Sequence, residues 1–162
     1  MICIIPIRSK TKGFKNKNIE NFYGMPLVLH SVNSAKKSNI FKKIIIATDS
    51  DYYIKFLKKK MSDHKISSKN IFFFKRSRHS STDTAPTEIV LSEVLKKYKN
   101  HKIACLIQAT SPFLTKKDID KGFIEFKKKK FDSMFSGYIF KKFLWSKKQK
   151  LEPINYDLFK RP

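Results

Sequence analysis

Short apolar runs rich in Ile and Phe recur along the chain, separated by longer stretches in which apolar and polar residues mix. Four of these runs have the length of buried strands: Met1–Pro6, Lys43–Thr48, Asn70–Lys75 and Ile103–Gln108. Continuous apolar runs of this kind are typical of strands that are covered on both faces. A further run, Ser133–Tyr138, is a candidate for a fifth strand.

Helical spacing of apolar residues fills the gaps between these strands. The predicted helices, in chain order, run from Gly24-Met-Pro26 to about residue 38, over Tyr52–Met61, up to Tyr98, and from Thr115 to about Lys130. The third helix is expected to bury Ile89, Val90, Val94 and Leu95. Asp49-Ser-Asp51 can cap the second helix, and Thr115-Lys-Lys-Asp118 is a variant of the capping box that opens the fourth.

Strict alternation of strand and helix predicts the α/β class, with a mostly parallel sheet and helices on both of its faces. The chain changes character at Lys141, where a Lys-rich, extended-looking tail begins. We therefore expect one α/β domain over residues 1–140 and the start of an arm over residues 141–162.

Composition adds a strong charge to this picture. The chain has 162 residues and a formal net charge of +23, which favours anionic partners. Its cations are lysines spread over every segment, apart from Arg8, Arg76, Arg78 and Arg161. Cys3 and Cys105 lie in apolar runs without metal-ligand spacing and are interpreted as core residues. No apolar run approaches the length of a membrane span, so we expect a cytoplasmic protein without a membrane partner.

Polar loops follow the predicted strands, and parallel strands present their carboxyl ends at one edge of a sheet. The loops are Arg8–Asn18, Asp49–Asp51, Arg76–Thr87 and Gln108–Pro112. Cations and backbone N–H groups at a strand end suit a phosphorylated ligand such as a nucleotide or phosphosugar. The dinucleotide fingerprint G-x-G-x-x-G and the phosphate loop G-x-x-x-x-G-K do not occur.

Single residues of these loops are open to more than one interpretation. Gly13 permits a turn or a close approach of ligand to backbone. Asp49 can be a helix cap or a ligand, and Asn18 can cap a turn or contact a ligand. Arg76 and Arg78 can be binding residues or surface cations. The residues alone leave these alternatives open.

Short motifs follow one another in a recognisable order. They are Arg8-x-x-x-Lys12-Gly13-x-x-x-Lys17-Asn18, Gly24-x-Pro26-Leu27, Ala47-Thr-Asp49, Arg76 with Asp83-Thr84, Ile107-Gln-Ala-Thr-Ser-Pro112, Phe131-Asp-Ser-Met-Phe-Ser136, Trp145-Ser, Glu152-Pro and Lys160-Arg-Pro162. In this order the chain resembles the CMP-sialic acid synthetases, or N-acylneuraminate cytidylyltransferases, over essentially its whole length. The resemblance implies a Rossmann-like three-layer sandwich of the nucleotide-diphospho-sugar transferase type.

The resemblance also implies a reaction: the anomeric hydroxyl of a nine-carbon 2-keto sugar acid attacks the α-phosphorus of CTP, and pyrophosphate leaves with the help of Mg²⁺. The residues that it assigns to the nucleotide are Arg8, Lys12, Lys17, Asn18, Arg76, Ala85 and Thr87. The cations of the first loop would hold triphosphate oxygens, whereas Asn18 and Arg76 would meet cytosine and ribose. Gln108 would bind the sugar, and Arg161 would be catalytic by stabilising charge on the phosphate.

Departures from the family concern length and three side chains. Thr11 and Lys15 replace the Ser and Pro that are usual in the first loop. Leu114 stands where many members have Arg. Family members continue beyond the block that ends at Pro162 to an Asp-x-Asp pair that binds the metal, so no metal ligand is expected within this apparently truncated chain. The resemblance further implies a homodimer, in which residues 141–162 would begin an incomplete dimerisation arm beside the nucleotide-binding domain of residues 1–140.

Alternative functions remain at this point. One is a sister cytidylyltransferase that activates legionaminic, pseudaminic or 3-deoxyoctulosonic acid. Another is an inactive truncated homologue. A third, from a different class, is a basic nucleic-acid-binding module, which the charge of +23 favours and the diffuse distribution of the lysines disfavours.

Overall fold

A four-stranded parallel sheet lies at the centre of the first of two units in the computed structural model, which describes residues 1–9, 13–139, 144–147 and 151–154. The units are Met1–Lys129 and Lys130–Pro162. The elements in chain order are β1 (Ile2–Ile7), β2 (Asn21–Phe22), β3 (Met25–Pro26), α1 (Leu27–Ser38), β4 (Lys43–Thr48), α2 (Asp51–Asp63), β5 (Ile71–Lys75), a 3₁₀ turn (His79–Ser81), α3 (Thr87–Lys97), β6 (Ala104–Leu106), α4 (Lys116–Lys128), β7 (Trp145–Lys147) and β8 (Leu151–Pro153).

The sheet has the strand order β5-β4-β1-β6, and every neighbouring pair is parallel. The two inner strands are the most apolar segments of the chain, since β1 reads ICIIPI and β4 reads KIIIAT. They pair in register from Ile2 opposite Lys43 to Ile7 opposite Thr48. Apolar side chains on both faces drive these strands to the centre of the sheet, where each face is covered.

Helices cover the two faces unequally. On one face Cys3, Ile5 and Ile7 of β1 pack with buried residues of α1, α2 and α4. On the other face Ile2 and Ile4 pack with α3 alone. Because alternate residues of a strand point to opposite faces, this division follows directly from the sequence of β1. The three layers confirm the predicted α/β sandwich.

Helix α3 corrects one detail of the predicted core. Val90 and Val94 are fully buried against the sheet, as expected. Leu95 is 36% exposed and Ile89 is only half-buried. Each of these two residues is one position away from a buried valine, which turns it by about 100° around the helix axis. Helix α3 therefore buries only the narrow stripe that faces the sheet, and its neighbouring positions are more exposed.

The predicted strand at Ser133–Tyr138 is wrong. The structure describes all of these residues, and they are exposed and form no strand. A strand persists only where its backbone N–H and C=O groups find partners. The fourth strand is also shorter than predicted, since β6 covers only Ala104–Leu106.

The second unit contains a small antiparallel hairpin. Trp145 of β7 pairs with Pro153 of β8, and the N–H of Ile154 donates to the carbonyl of Leu144 at 2.8 Å. The sequence pattern did not predict this hairpin. The division into a nucleotide-binding domain over 1–140 and a dimerisation arm over 141–162 stays a prediction. Among the described helices, none has both the length and the apolar character needed to cross a bilayer.

Candidate functional site

A cavity of about 270 Å³ opens at the carboxyl edge of the sheet. It is lined by Pro6, Ile7, Arg8, Lys17, Asn18, Arg76, Ala85, Thr87, Val90, Gln108, Ala109 and Thr110. Every predicted site residue that the structure describes therefore lies at this one cavity. The other two, Lys12 and Arg161, lie outside the described residues, and their roles stay predictions.

Parallel topology explains why these residues meet. Arg8 follows the last residue of β1, Arg76 follows β5, and Gln108 comes two residues after the end of β6. Ala85 and Thr87 lie at the start of α3, which returns over the sheet from the β5 side. Strand ends that point the same way bring residues far apart in sequence to one edge.

Asn18 closes the first loop back onto the sheet. Its side chain is 4% exposed, and its Nδ2 donates a hydrogen bond to the carbonyl oxygen of Arg8 at 2.9 Å. Its own carbonyl accepts from the backbone N–H of Val28 at 3.0 Å, at the start of α1. Asn18 thus joins the end of β1 to the start of α1.

The loop between β1 and Asn18 depends on residues with positive φ. Gly13 has φ +83°, in the left-handed region that glycine adopts without steric cost. Asn16 also has a positive φ, 57°, and its Oδ1 accepts a hydrogen bond from the Tyr53 hydroxyl of α2 at 3.1 Å. Burial, with smaller contributions from Asp49 and other neighbours, raises the pKa of Tyr53 to about 12, so the phenol stays a donor.

Asp49 does not cap α2, which was one of the two roles that the sequence left open. Its Oδ1 accepts from the backbone N–H of Ser9 at 2.8 Å, and its Oδ2 accepts from the Ser9 hydroxyl at 2.9 Å. Helix α2 is capped by Ser50 instead, whose hydroxyl accepts from the N–H of Tyr53 at 3.2 Å. The carboxylate of Asp49 therefore anchors the residue that follows Arg8.

Arg76 is a buried cation, not a surface one. It is 8% exposed, its backbone N–H donates to the carbonyl of Thr48 at 2.9 Å, and its Nη2 donates to the carbonyl of Ser80. Its Nε finds no hydrogen-bond partner among the described residues. Burial lowers the pKa of Arg76, and the charge of Asp49 acts against that change. Arg78, two residues later, is exposed.

Arg8 is partly exposed and already engaged. Its Nη1 donates to the carbonyl oxygen of Thr82 and lies 3.1 Å from Oδ1 of Asp83. The two side chains of the ion pair are 24% and 43% exposed, so solvent screens their attraction. With Lys17 and Arg76, Arg8 makes the cavity strongly electropositive, which suits a polyanionic ligand.

Gln108 comes two residues after the end of β6, the strand that pairs with β1. Its side chain is exposed, while its carbonyl oxygen accepts from the Ser31 hydroxyl of α1 at 3.2 Å. Leu114, which stands where many family members have Arg, is half-buried against the core cluster formed by α1, α2 and α4. The backbone of Gln108 is thus fixed, and its exposed side chain lies at the cavity.

A sequence model of cytidylyltransferases matches residues 2–146, which is most of the chain. The chain belongs to the cytidylyltransferase family. The family resemblance that the sequence motifs indicated is thereby confirmed.

Two curated relatives give the scale of the likeness. Post-translational flagellin modification protein B of Campylobacter coli is 31% identical over 141 residues, which are 84% of this chain and 57% of that protein. The N-acylneuraminate cytidylyltransferase of Escherichia coli is 32% identical over 113 residues, which are 70% of this chain and 25% of that protein. The chain thus spans between a quarter and three fifths of the length of these relatives.

Solved structures support the fold. The CMP:2-keto-3-deoxy-manno-octonic acid synthetase solved with CTP superimposes with a TM-score of 0.62 at 16% identity. The superposition covers 78% of this chain and 47% of that one. At this identity the likeness is one of architecture, and it agrees with the parallel sheet of the first unit.

The described residues do not by themselves form a carboxylate site for Mg²⁺. Among them, no group of three or more His, Cys, Asp or Glu side chains could hold a metal ion. Asp49 uses both oxygens on Ser9, Asp83 pairs with Arg8, and Asp51 pairs with Lys75 at 2.6 Å. The participation of Mg²⁺ therefore stays a prediction.

Three contacts at the site escaped sequence reasoning: Asp49 with Ser9, Tyr53 with Asn16, and Glu93 with the turn after Arg76. The first two join residues 40 and 37 positions apart. Local spacing carries no signal for such pairs. Only the placement of Asp49 directly after a strand, at the same edge as Ser9, could have indicated the first.

Proposed function

We propose that the cavity binds CTP and that the chain acts as a cytidylyltransferase for a sialic-acid-like nine-carbon 2-keto sugar acid. In this reaction the anomeric oxygen of the sugar forms a bond to the α-phosphorus of CTP, the bond from that phosphorus to the β-phosphate bridging oxygen breaks, and pyrophosphate leaves. The hydroxyl proton of the sugar passes to solvent or a base. The single observation that carries the proposal is the gathering of all described candidate residues around one electropositive cavity.

The cations at the cavity differ in their exposure, and we assign them different contacts with the nucleotide. Arg8 and Lys17 are partly exposed and suit the triphosphate, whose charge would draw Arg8 away from Asp83. Arg76 is buried, and its Nε is a donor without a partner among the described residues. Arg76 nevertheless lines the cavity, and a guanidinium donor at its wall suits the carbonyl acceptor of a pyrimidine.

Asn18, Ala85 and Thr87 complete the proposed nucleotide contacts. The amide of Asn18 retains an acceptor oxygen that can meet the exocyclic amino group of cytosine. Ala85 would contact the nucleotide through its backbone, and Thr87 through its hydroxyl at the start of α3. Helix N-termini favour anions, which agrees with a phosphate nearby.

The identity of the sugar is the finer part of the proposal. N-acetylneuraminate is our first candidate, because the relative from Escherichia coli is named an N-acylneuraminate cytidylyltransferase. Legionaminic, pseudaminic and 3-deoxyoctulosonic acids are alternatives for the same cavity, with Gln108 as the proposed sugar contact in each case. Lys12 on the triphosphate, Arg161 in catalysis, Mg²⁺ and a homodimer are further parts of this proposal.

Two matched variants test the proposed binding of CTP. CTP binding is measured by isothermal titration calorimetry for the wild type, Arg76→Ala and Arg78→Ala, two arginines that differ in burial. We expect Arg76→Ala to weaken CTP binding by about 2 kcal/mol, as for other hydrogen bonds to charged groups, and Arg78→Ala to leave it unchanged. A wild-type chain that does not bind CTP, or equal losses in the two variants, would contradict the proposal.

A substrate panel tests the chemistry. The chain is incubated with CTP, Mg²⁺ and each of the four sugar acids, and pyrophosphate release is followed. Turnover with one acid identifies the substrate. CTP binding without turnover on any acid would instead support the inactive homologue.

A further inference from the structure

Backbone carbonyls of one short segment hold both arginines of the cavity. Nη2 of Arg76 donates to the carbonyl of Ser80, and Nη1 of Arg8 donates to the carbonyl of Thr82. Ser80 lies in the 3₁₀ turn His79–Ser81, and Thr82 follows it directly. Arg8 and Arg76 come from different strands, so their common attachment to this turn is a property of the tertiary structure.

The turn is held together by its own hydroxyl groups. The Ser77 hydroxyl accepts from the N–H of Ser80 at 3.2 Å, and the Ser81 hydroxyl donates to the carbonyl of Ser77 at 2.6 Å. The side chain of Ser80 is fully buried. These bonds define the shape of the turn, but they are local and do not attach it to the rest of the fold.

Glu93 of α3 provides that attachment. Its carboxylate accepts from the hydroxyl of Ser77, from the hydroxyl of Ser80 at 2.7 Å, and from the N–H of Ser77 at 3.4 Å. Helix α3 is itself fixed on the sheet by Val90 and Val94. A half-buried carboxylate with several donors forms strong, charge-assisted hydrogen bonds.

We propose that Glu93 is a positioning residue of the nucleotide site, which fixes the carbonyls of Ser80 and Thr82 and through them the guanidinium groups of Arg76 and Arg8. This inference rests on the proposed nucleotide binding. The described residues that line the cavity do not include Glu93, so its effect on a ligand is indirect. Without it, the turn keeps its local bonds but loses its anchor on α3, and both arginines lose a defined orientation.

The direction of the pKa shift of Glu93 agrees with its hydrogen bonds to the turn. Burial acts to raise the pKa of Glu93, but the hydrogen bonds from Ser77 and Ser80 and the charge of Arg76 outweigh it and lower the pKa. Glu93 is therefore ionised at neutral pH. A neutral side chain in its place would keep fewer acceptors for Ser77 and Ser80 and would remove the nearby negative charge from Arg76.

Binding measurements with a matched control test the proposal. Glu88 lies on the same helix with an exposed side chain and contributes to the outer surface of α3, so Glu88→Ala is the control for Glu93→Ala. We expect Glu93→Ala to weaken CTP binding roughly tenfold or more, as the loss of charged hydrogen bonds does elsewhere, and Glu88→Ala to leave it unchanged. Glu93→Gln, which retains one acceptor oxygen, should lie between Glu93→Ala and the wild type.

A double-mutant cycle separates positioning from general destabilisation. Because Glu93 is proposed to act partly through Arg76 and partly through Arg8, the loss of CTP affinity in the double variant Glu93→Ala/Arg76→Ala should be smaller than the product of the two single fold-changes. If Glu93 only stabilises the fold, the two fold-changes should multiply, which would overturn the proposal. Unchanged CTP binding by Glu93→Ala would overturn it as well.

A measurement without nucleotide keeps the positioning role distinct from the proposed function. The chain has four arginines, Arg8, Arg76, Arg78 and Arg161, so its Nε–H resonances can be assigned individually by ¹⁵N NMR. In nucleotide-free Glu93→Ala we expect the resonances of Arg8 and Arg76 to shift and that of Arg78 to stay. Unshifted Arg8 and Arg76 would overturn the positioning role, whereas failure of the wild type to bind CTP would overturn the proposed function.

Discussion

Asp49 fixes the direction in which the chain leaves β1. It holds both the backbone N–H and the hydroxyl of Ser9, the residue directly after Arg8. One carboxylate thereby sets the backbone from which Arg8 projects, while the turn after β5 sets the position of its guanidinium. The part of the cavity lined by Arg8 is thus defined by contacts between residues of different strand-end loops.

Replacement of Asp49 should therefore affect both stability and binding. We expect Asp49→Ala to lower the free energy of unfolding by about 1–3 kcal/mol, because the part-buried donors of Ser9 lose their acceptor. CTP affinity should fall in the same variant. Urea denaturation and calorimetry measure the two effects. Asp63→Ala, which removes an exposed carboxylate of α2, is the control and should stay within about 0.5 kcal/mol of the wild type; equal effects would contradict this role.

The lowered pKa of Glu93 gives a pH dependence with a definite sign. A carboxylate whose folded pKa lies below its unfolded value stabilises the fold above the unfolded pKa, and this contribution is lost as pH falls through the folded pKa. The ordinary value here is 4.5, so the loss begins below that pH. We expect the wild type to be more stable than Glu93→Gln at pH 7 and the difference to narrow below pH 4.5. A difference independent of pH would contradict the account.

At the scale of elements, the first turn of α2 supports the first loop. Ser50 caps the helix, and Tyr53 in its first turn donates to Asn16 of the loop. The side chain of Tyr53 is 1% exposed and packs in the main core cluster. The start of this helix therefore connects the core with the residues that precede Lys17 and Asn18.

Removal of the cap tests this connection. Ser50→Ala should lower the free energy of unfolding by about 1 kcal/mol, the usual cost of losing an N-cap side chain. Ser62→Ala near the other end of α2 changes the same residue type at an exposed helical position, where alanine is favoured, and should cost nothing. Thermal and chemical denaturation provide the measurement. A larger loss in Ser62→Ala than in Ser50→Ala would contradict the assignment of the cap.

Elements with strong local signals could be predicted from the sequence, and elements that depend on distant partners could not. The β-branched run of β4 was predicted with its observed bounds, and the capping box of Thr115 and Asp118 opens α4 as expected. The prediction of a strand at Ser133–Tyr138 was wrong because a strand needs a neighbouring strand, and the local sequence pattern does not reveal one. The same limit applies to the site: strand ends and motif order indicated the residues that line the cavity, but not Glu93, which acts on them through a turn.

At the scale of the whole molecule, charge is the dominant feature. A formal charge of +23 attracts any polyanion, and the lysines that carry it are distributed along the entire chain. Attraction of this kind falls steeply with salt and does not depend on one residue. The cavity is different, because it presents Arg76 from a buried position and Asn18 with its amide partly free.

This difference predicts a separation of two binding activities. Binding of generic single-stranded RNA should weaken steeply between low salt and about 0.15 M and should be the same in the wild type and Arg76→Ala. CTP binding should be reduced in Arg76→Ala at the same salt concentration. Fluorescence anisotropy with labelled RNA and calorimetry with CTP give the comparison. Parallel losses of RNA and CTP binding in Arg76→Ala would instead favour a nucleic-acid-binding module.

The central claim is that strand-end loops from across the chain form one receptor for a pyrimidine triphosphate. A crystal structure of the chain with CTP tests this most directly. We predict that the triphosphate contacts Arg8 and Lys17 and that the cytosine ring lies against Arg76 and Asn18. Density for CTP on the lysine-rich surface, with the cavity at the carboxyl edge of the sheet unchanged, would contradict the account.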